Sequence, residues 1–396
     1  MWADLSDVGR SPVTGGYRRF AFTPEDGQLR EWFEQEADVR GLDLTVDRAG
    51  NLWAWWGDPD LAGPGVVTGS HLDSVPAGGA FDGPLGVASA FAAIDLLHVQ
   101  GFIPGRPIGV VCFGDEEGAR FGVACTGSRL LTGALAPDRA RGLTDTDGMS
   151  YADAMAWAGR TPHLLGPDPE MMARIGRFVE LHVEQGRGLI DLGAPVGVAS
   201  EIWPHGRYRF TFTGRADHAG TTRMSDRADP MLTYAMTALA ANKQARSHNA
   251  RATFGRISVQ PNGTNAVPSL VTAWLDARAE NPVNLDTLLT EVRRQAIERA
   301  KRDGTKLEVA VESWSDLVTF DVALRDRLSG VLAGAPVLAT AAGHDAGVLS
   351  AAGIPTAMLF VRNPTGISHS PDEFAELGDC AAGVRALADV LRALAG

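Results

Sequence analysis

The run at 108–113 reads Ile-Gly-Val-Val-Cys-Phe, apolar throughout, and is followed at once by Gly-Asp-Glu-Glu. A strand that is apolar on both faces has to be covered on both faces, as in a parallel sheet held between layers of helices. Two adjacent carboxylates where such a strand ends are costly unless a cation or a raised pKa offsets their charge. This one segment therefore predicts both an architecture and a place where chemistry has to sit.

The rest of the chain fits that architecture. Short apolar runs at 66–68, 178–183 and 354–361 read as strands, and 84–99 and 379–394 read as helices. Their alternation predicts an α/β domain with a mainly parallel sheet, in which functional residues collect at the carboxyl ends of strands. Near Pro204 the pattern changes. A strand at 208–213, a helix at 230–247, strands at 252–259 and 270–279, a helix at 285–302 and a strand at 307–312 give a βαββαβ order. That order is the signature of a ferredoxin-like layer. The predicted organisation is a discontinuous α/β domain, 1–206 with 318–396, interrupted by an inserted domain at 207–317.

Charge and cysteine usage narrow the function classes. The 396 residues carry 36 Lys+Arg against 48 Asp+Glu, a formal net charge of −12. Such a balance argues against a general nucleic-acid binder, which needs a basic face for phosphates. A small anionic substrate needs only a local cation, and the inserted stretch is net positive while the remainder is strongly acidic. Cys112, Cys125 and Cys380 are too few and too scattered for a disulfide framework. The N-terminus lacks the basic and apolar regions of a secretory signal, and no uninterrupted apolar run reaches about 18 residues. A cytoplasmic protein with no membrane partner is expected.

Four clusters carry the chemistry: Gly69-Ser-His-Leu-Asp-Ser-Val75 with Gly78-Gly-Ala-Phe-Asp-Gly83, Phe113-Gly-Asp-Glu-Glu-Gly118, Leu181-His-Val-Glu-Gln-Gly186 and Gly366-Ile-Ser-His-Ser-Pro-Asp-Glu373. Imidazole and carboxylate are ligands for borderline divalent metals such as zinc. Singly, each has an ordinary explanation. A His-x-Asp is usually a local hydrogen bond, and a Glu-Glu pair is usually a solvated turn. Together they point elsewhere, because residues 51–100 contain Asp73 and Asp82 but no Lys or Arg at all. A bound metal supplies the missing charge. The alternatives fit poorly: there is no phosphate-binding Gly-x-x-x-x-Gly-Lys loop, no Gly-x-Ser-x-Gly elbow and no His-Glu-x-x-His. Cys112 lies inside a predicted strand, and Cys125 and Cys380 have no activating partner nearby in sequence, so a cysteine nucleophile is the weaker reading.

These clusters, their order and the inserted βαββαβ segment resemble the dinuclear-metal amidohydrolases related to aminoacylases and zinc carboxypeptidases. Within that family, four segments resemble the branch of allantoate amidohydrolases, N-carbamoyl-L-amino acid hydrolases and β-ureidopropionases. They are Leu-His-Val-Glu-Gln-Gly at 181–186, His-Ala-Gly-Thr-Thr at 218–222, Ala-Gly-His-Asp-Ala at 342–346 and Gly-Ile-Ser-His-Ser-Pro-x-Glu at 366–373. The resemblance runs from Gly15-Gly16 and Asp47-x-x-Gly-Asn51 to the last helix. It implies two divalent metal ions per subunit, zinc or manganese, with His71 and His182 on one, Glu117 and His369 on the other, and Asp82 bridging them. It implies Glu116 as the general base and Asp73 as the carboxylate that orients His71. His218 corresponds to a lid histidine that stabilises the oxyanion. Gln185, Asn265 and Arg278 correspond to substrate contacts, and His344 with Asp345 to a substrate or supporting role. The family further implies a homodimer through the inserted domain, with His218 and Asn265 acting across subunits.

Two departures bear on the substrate. Arg223 stands where relatives commonly have Pro, and Arg362-Asn-Pro-Thr365 stands where they often have Pro-Ser. Both place an Arg close to the expected site, which favours a polar, carboxylate-bearing substrate. Allantoate is the first expectation and N-carbamoyl-L-amino acids the second. An aminoacylase or dipeptidase of the same fold and a non-catalytic binding protein stay as alternatives.

Overall fold

Four strands, Ile108–Phe113, Gly65–His71, Ile175–Val183 and Thr356–Val361, lie side by side in that order and run parallel. All residues of Gly65–His71, Ile108–Phe113 and Thr356–Val361 are buried in this computed structural model, which describes residues Met1–Gly396. Leu52–Trp56 pairs antiparallel on one side of this core, and Val196–Ile202 on the other. The chain forms two units, Met1–Glu201 with Thr319–Gly396, and Ile202–Val318. No helix is long and apolar enough to cross a membrane.

Alternation within the buried strands divides their side chains between two faces. Val66, Val110, Val179, Leu181 and Leu359 join the core formed with helices Pro24–Val39, Pro84–Val99 and Leu377–Ala395. On the other face Phe113 meets Trp53 and Phe178 edge-on, at centroid distances of 6.0 and 5.8 Å. Each such aliphatic side chain, fully buried, contributes about 1.5–3 kcal/mol. The apolar run at 108–113 is thus a central strand, and its lack of polar alternation has a direct cause.

Two local features hold the sheet's functional edge. Asp47 accepts from Ala49 N, Asn51 N, Asn51 Nδ2 and Trp53 Nε1 at 2.8–3.0 Å. Asn51 in turn accepts from Gly114 N at 2.9 Å and donates to Gly127 O at 3.2 Å. The Asp-x-x-Gly-Asn segment therefore anchors the backbone just before Glu116. The second feature is Gly69, at φ +142°, where an added Cβ would sit 1.9 Å from the carbonyl oxygen of Val111. No side chain fits there without displacing a neighbouring strand.

The second unit is a four-stranded antiparallel sheet in the order Lys306–Ser315, His205–Thr213, Leu270–Arg278, Arg251–Gln260. Helices Pro230–Ser247 and Pro282–Asp303 supply the two crossovers. This order is that of a ferredoxin-like layer. Tyr208, Phe210, Phe212, Val271 and Leu275 alternate inward to meet Leu285, Leu288, Leu289 and Val292 of the second helix. Pro204 O accepts from Ala279 N, so this sheet begins a few residues earlier than the apolar pattern indicates.

Gly69→Ala should destabilise the protein by more than about 2 kcal/mol, since strain and backbone overlap have no flexible side chain to absorb them. Thermal melting of the metal-free variant against the parent checks this. An unchanged melting temperature would mean that the strand moves aside freely.

Candidate metal and catalytic site

Because the four central strands are parallel, their carboxyl ends share one edge of the sheet. His71 is the last residue of its strand, and His182 is the next to last of its own. Glu116 and Glu117 follow Phe113, and His369 lies on the loop after Val361. Asp82 comes from the loop before helix Pro84–Val99, whose proline starts the helix without needing a backbone donor.

Asp82 is the hub. Its Oδ1 lies 3.1 Å from His182 Nε2 and 3.7 Å from His71 Nε2, and its Oδ2 lies 3.4 Å from His369 Nε2. Glu117 Oε1 is 3.6 Å from His369 Nε2. Two donor sets result, His71–Asp82–His182 and Asp82–Glu117–His369, with the ligand atoms of each within 4.8 Å of one another. The sequence-predicted residues of this edge are therefore together. A hydrogen bond to a carbonyl oxygen fixes Nδ1 of His71 (Asp73 O, 3.1 Å) and of His182 (Val183 O, 2.9 Å) as the donor. Each ring thereby turns Nε2 inward, the orientation a ligating imidazole needs. His71 Nε2 and Glu117 Oε1 are buried without a hydrogen-bond partner, which a divalent ion would resolve. The donor chemistry and these orphaned atoms fit a pair of divalent metals.

Glu116 stands beside this hub, with Oε2 3.7 Å from His71 Nε2. Burial pushes its carboxyl well up, His71 opposes this, and the charges of Asp345 and Glu117 add to it. Burial likewise brings Glu117 up to about 7, with Asp82 adding to the shift. For His369, burial works against the charged ring, but the hydrogen bond to Asp82 and the charge of Glu117 outweigh it, and the imidazole rises to about 9. A site of this kind holds protons where it would otherwise hold cations.

Several of these residues have further partners that the sequence did not indicate. The carboxylate of Asp73 accepts from the backbone N–H groups of Glu116 and Glu117 at 3.1 and 3.0 Å, and its Oδ1 lies 3.5 Å from His71 Nδ1, which also meets the Asp73 carbonyl oxygen at 3.1 Å. One side chain thus ties two strand ends together. Cys125, which looked partnerless in sequence, places Sγ 3.2 Å from Glu116 Oε1 because Cys125 N and Thr126 N zip back onto Glu116 O and Asp115 O. Burial and the Glu116 charge push this thiol well up, so it stays neutral. Gln185 Nε2 donates to Asp82 Oδ2 at 2.9 Å and Ser368 Oγ at 3.1 Å. His344 is buried, its ring 4.6 Å from that of His182. Asp345 accepts from Ser128 Oγ, and burial together with the charge of Glu180 brings it up to about 8. Glu180, which the sequence did not single out, accepts from Ser70 Oγ and Ala346 N at 2.7 and 3.0 Å. Its position two residues before His182, inside an apolar strand, was the available signal.

Arg362 is a correction. Its Nε and Nη2 bind Asp379 in the first turn of the last helix at 2.8 and 3.0 Å. It is a pin between a loop and a helix, and its cation is already matched.

The second unit brings His218 and Asn265 together. Asp217–His218 pairs antiparallel with Ala266–Val267, and Ala219 N donates to Asn265 O at 2.9 Å. Nδ1 of His218 accepts from Gly220 N and Thr221 N at 3.0 and 3.2 Å, so the neutral ring carries its proton on Nε2. His218, Asn265 and Arg223 are exposed. Arg278 is held by Asp276, two residues away on the same strand face, at 2.7 and 3.0 Å.

Residues 67–393 match the model of peptidase family M20/M25/M40. The chain is 36% identical to an N-carbamoyl-L-amino acid amidohydrolase of Geobacillus stearothermophilus, covering 97% of this chain and 94% of that protein. It is 32% identical to an allantoate amidohydrolase of Escherichia coli (strain K12), covering 99% and 96%. The solved structure of an amidase of the hydantoinase/carbamoylase family from Burkholderia vietnamiensis superposes with a TM-score of 0.90 at 29% identity, covering 100% of this chain and 95% of that one. The chain belongs to peptidase family M20/M25/M40 and is a hydrolytic enzyme.

Proposed function

We propose that this chain hydrolyses the linear amide of a ureido or carbamoyl group in a small carboxylate, with allantoate the favoured substrate and N-carbamoyl-L-amino acids or β-ureidopropionate the next. The observation that carries the reading is Asp82, whose two oxygens face separate sets of donors with Glu116 alongside. The names of the amidohydrolase relatives support the substrate class. An aminoacylase or dipeptidase is the second reading, and Gln185 weighs against it: its Nε2 is engaged by Asp82 and Ser368, and its buried, unpartnered Oε1 is an acceptor that suits the N–H groups of a ureido group.

In this reading His71, Asp82 and His182 hold one divalent ion, and Asp82, Glu117 and His369 hold the other, zinc or manganese. Bound there, the ions supply positive charge that acidifies a water and polarises the scissile carbonyl. Glu116 takes the proton from the attacking water and hands it to the departing nitrogen. For each ureido group, one water and one carbamoyl unit give an amine, carbon dioxide and ammonia. His218 offers Nε2–H to the oxygen on which negative charge develops. Arg278 and Asn265 hold the substrate carboxylate, with Asp276 keeping the guanidinium fork in place until then. The assembly is a homodimer through the inserted domain, in which His218 and Asn265 act across subunits. The row Leu232, Met236 and Leu239, exposed along helix Pro230–Ser247, and the sheet's edge strand Arg251–Gln260 support this. The protein is cytoplasmic.

Ammonia release from allantoate, N-carbamoyl-L-amino acids, β-ureidopropionate and dipeptides, measured with zinc- and manganese-loaded protein, tests the reading. Ureido acids should be turned over faster than dipeptides, and the reverse order would select the peptidase reading. Glu116→Gln should lower kcat by roughly 10²–10⁴-fold while metal stays bound. Arg278→Ala should raise KM for a carboxylate substrate by about tenfold or more with a smaller effect on kcat, since a charge-assisted hydrogen bond is worth about 1.5–3 kcal/mol. Steady-state kinetics of both variants decide these points.

Metal affinity should depend on pH in a definite direction. His369, raised to about 9, and Glu117, raised to about 7, have to lose protons before they can ligate. Affinity should therefore climb from about pH 6 to pH 9, with protons released on binding. Titration calorimetry in buffers of different ionisation enthalpy reads both quantities. A flat affinity over that range would contradict the proposed ligand set.

A further inference from the structure

Resting on the dinuclear reading above, we propose that Glu373 is a positioning residue: its carboxylate staples the loop carrying Asp82 to the loop carrying His369 and so sets the spacing of the second metal set. The two loops are far apart in sequence, and nothing in the sheet ladder joins them. Side chains make the joint: Ser368 and Gln185 reach the Asp82 carboxylate, and Glu373 holds the backbone of the Asp82 loop. Glu373 Oε1 accepts from Phe81 N and from Asp82 N, both at 2.9 Å. Ser368 Oγ lies 3.2 Å from Glu373 Oε2 and 3.1 Å from Asp82 Oδ2. Glu373 N donates to Ser370 O, which closes the His369 loop back on itself.

The arrangement is built rather than incidental. Glu373 is 4% exposed, and its carboxylate meets backbone donors of a segment 291 residues away. A Cβ on Gly79 would lie 2.4 Å from Glu373 Cβ and Oε1, so the loop passes here only because residue 79 has no side chain. The hydroxyl of Ser368 stands between the two carboxylates and immediately precedes His369. His369 itself adopts φ +55°, a conformation that side chains other than glycine rarely hold without support. Glu373 therefore acts on Asp82 through its backbone and on His369 through Ser368 and the loop closure. It is a member of neither donor set. Outer partners of this kind typically govern metal affinity by about 10–100-fold.

The test uses the full-length protein, stripped with a chelator and titrated with zinc and with manganese by calorimetry. The parent should bind two ions per chain; fewer would remove the dinuclear reading itself. In Glu373→Ala at least one ion should bind about 10–100-fold more weakly. Glu373→Gln keeps an oxygen for Phe81 N and Asp82 N but no acceptor for Ser368, and its loss should be smaller. Ser368→Ala should weaken binding in the same direction and serves if Glu373→Ala does not fold. Melting of the metal-free proteins separates positioning from general stability. A melting temperature close to the parent's with weakened metal binding supports the staple. If the parent binds two ions and all three variants bind both with parental affinity, the proposal is overturned while the dinuclear reading stands. The same holds if affinity falls only in proportion to lost stability.

Discussion

The carboxylate of Asp82 is the interaction on which the arrangement of this molecule depends. One oxygen faces His71 and His182, and the other faces His369. A carboxylate shared in this way needs its surroundings to arrive from several separate chain segments at one point. A parallel sheet provides that, because every strand delivers its last residue to the same edge. The apolar strands are thus both the core of the fold and the means of bringing distant donors together. Gly69 and the Asp47–Asn51 bonds serve the same end, by keeping the strands close and the Glu116 loop anchored.

The edge carries an electrostatic cost. Asp73, Asp82, Glu116, Glu180 and Asp345 are all buried. Burial alone would leave such a group protonated, and the raised carboxyls of Glu116, Glu117 and Asp345 reflect that. The fold tolerates the cluster by giving most members specific donors: two backbone N–H groups for Asp73, a hydroxyl and a backbone N–H for Glu180, a hydroxyl for Asp345. Among the buried atoms without a hydrogen-bond partner, His71 Nε2 and Glu117 Oε1 belong to the two donor sets. Asp73 and Glu180 are satisfied by protein donors on both oxygens, whereas Asp345 keeps one buried oxygen without a partner.

Much of this is legible in the amino-acid sequence, and for a physical reason. A central parallel strand such as 108–113 must be apolar on both faces, so it is recognisable without context, and the polar cluster that follows marks the functional edge. The βαββαβ order of the inserted segment is readable for a similar reason, since its strands alternate and its helices are long. What the sequence hides are pairings between distant segments. Glu373 is one member of a quoted motif with no evident task until Phe81 and Asp82 are seen to donate to it. Cys125 gains a partner only because its loop folds back on Glu116. Arg362 shows the opposite failure, since a cation near an expected site in sequence is spent on Asp379 in the structure.

The central claim is that Asp82 joins two metal positions. Anomalous diffraction from crystals grown with zinc or with manganese tests it most directly. The account predicts two anomalous peaks per chain, one beside each Asp82 oxygen, the first near His71 and His182 and the second near Glu117 and His369. A single peak, or peaks that do not share Asp82, would contradict it.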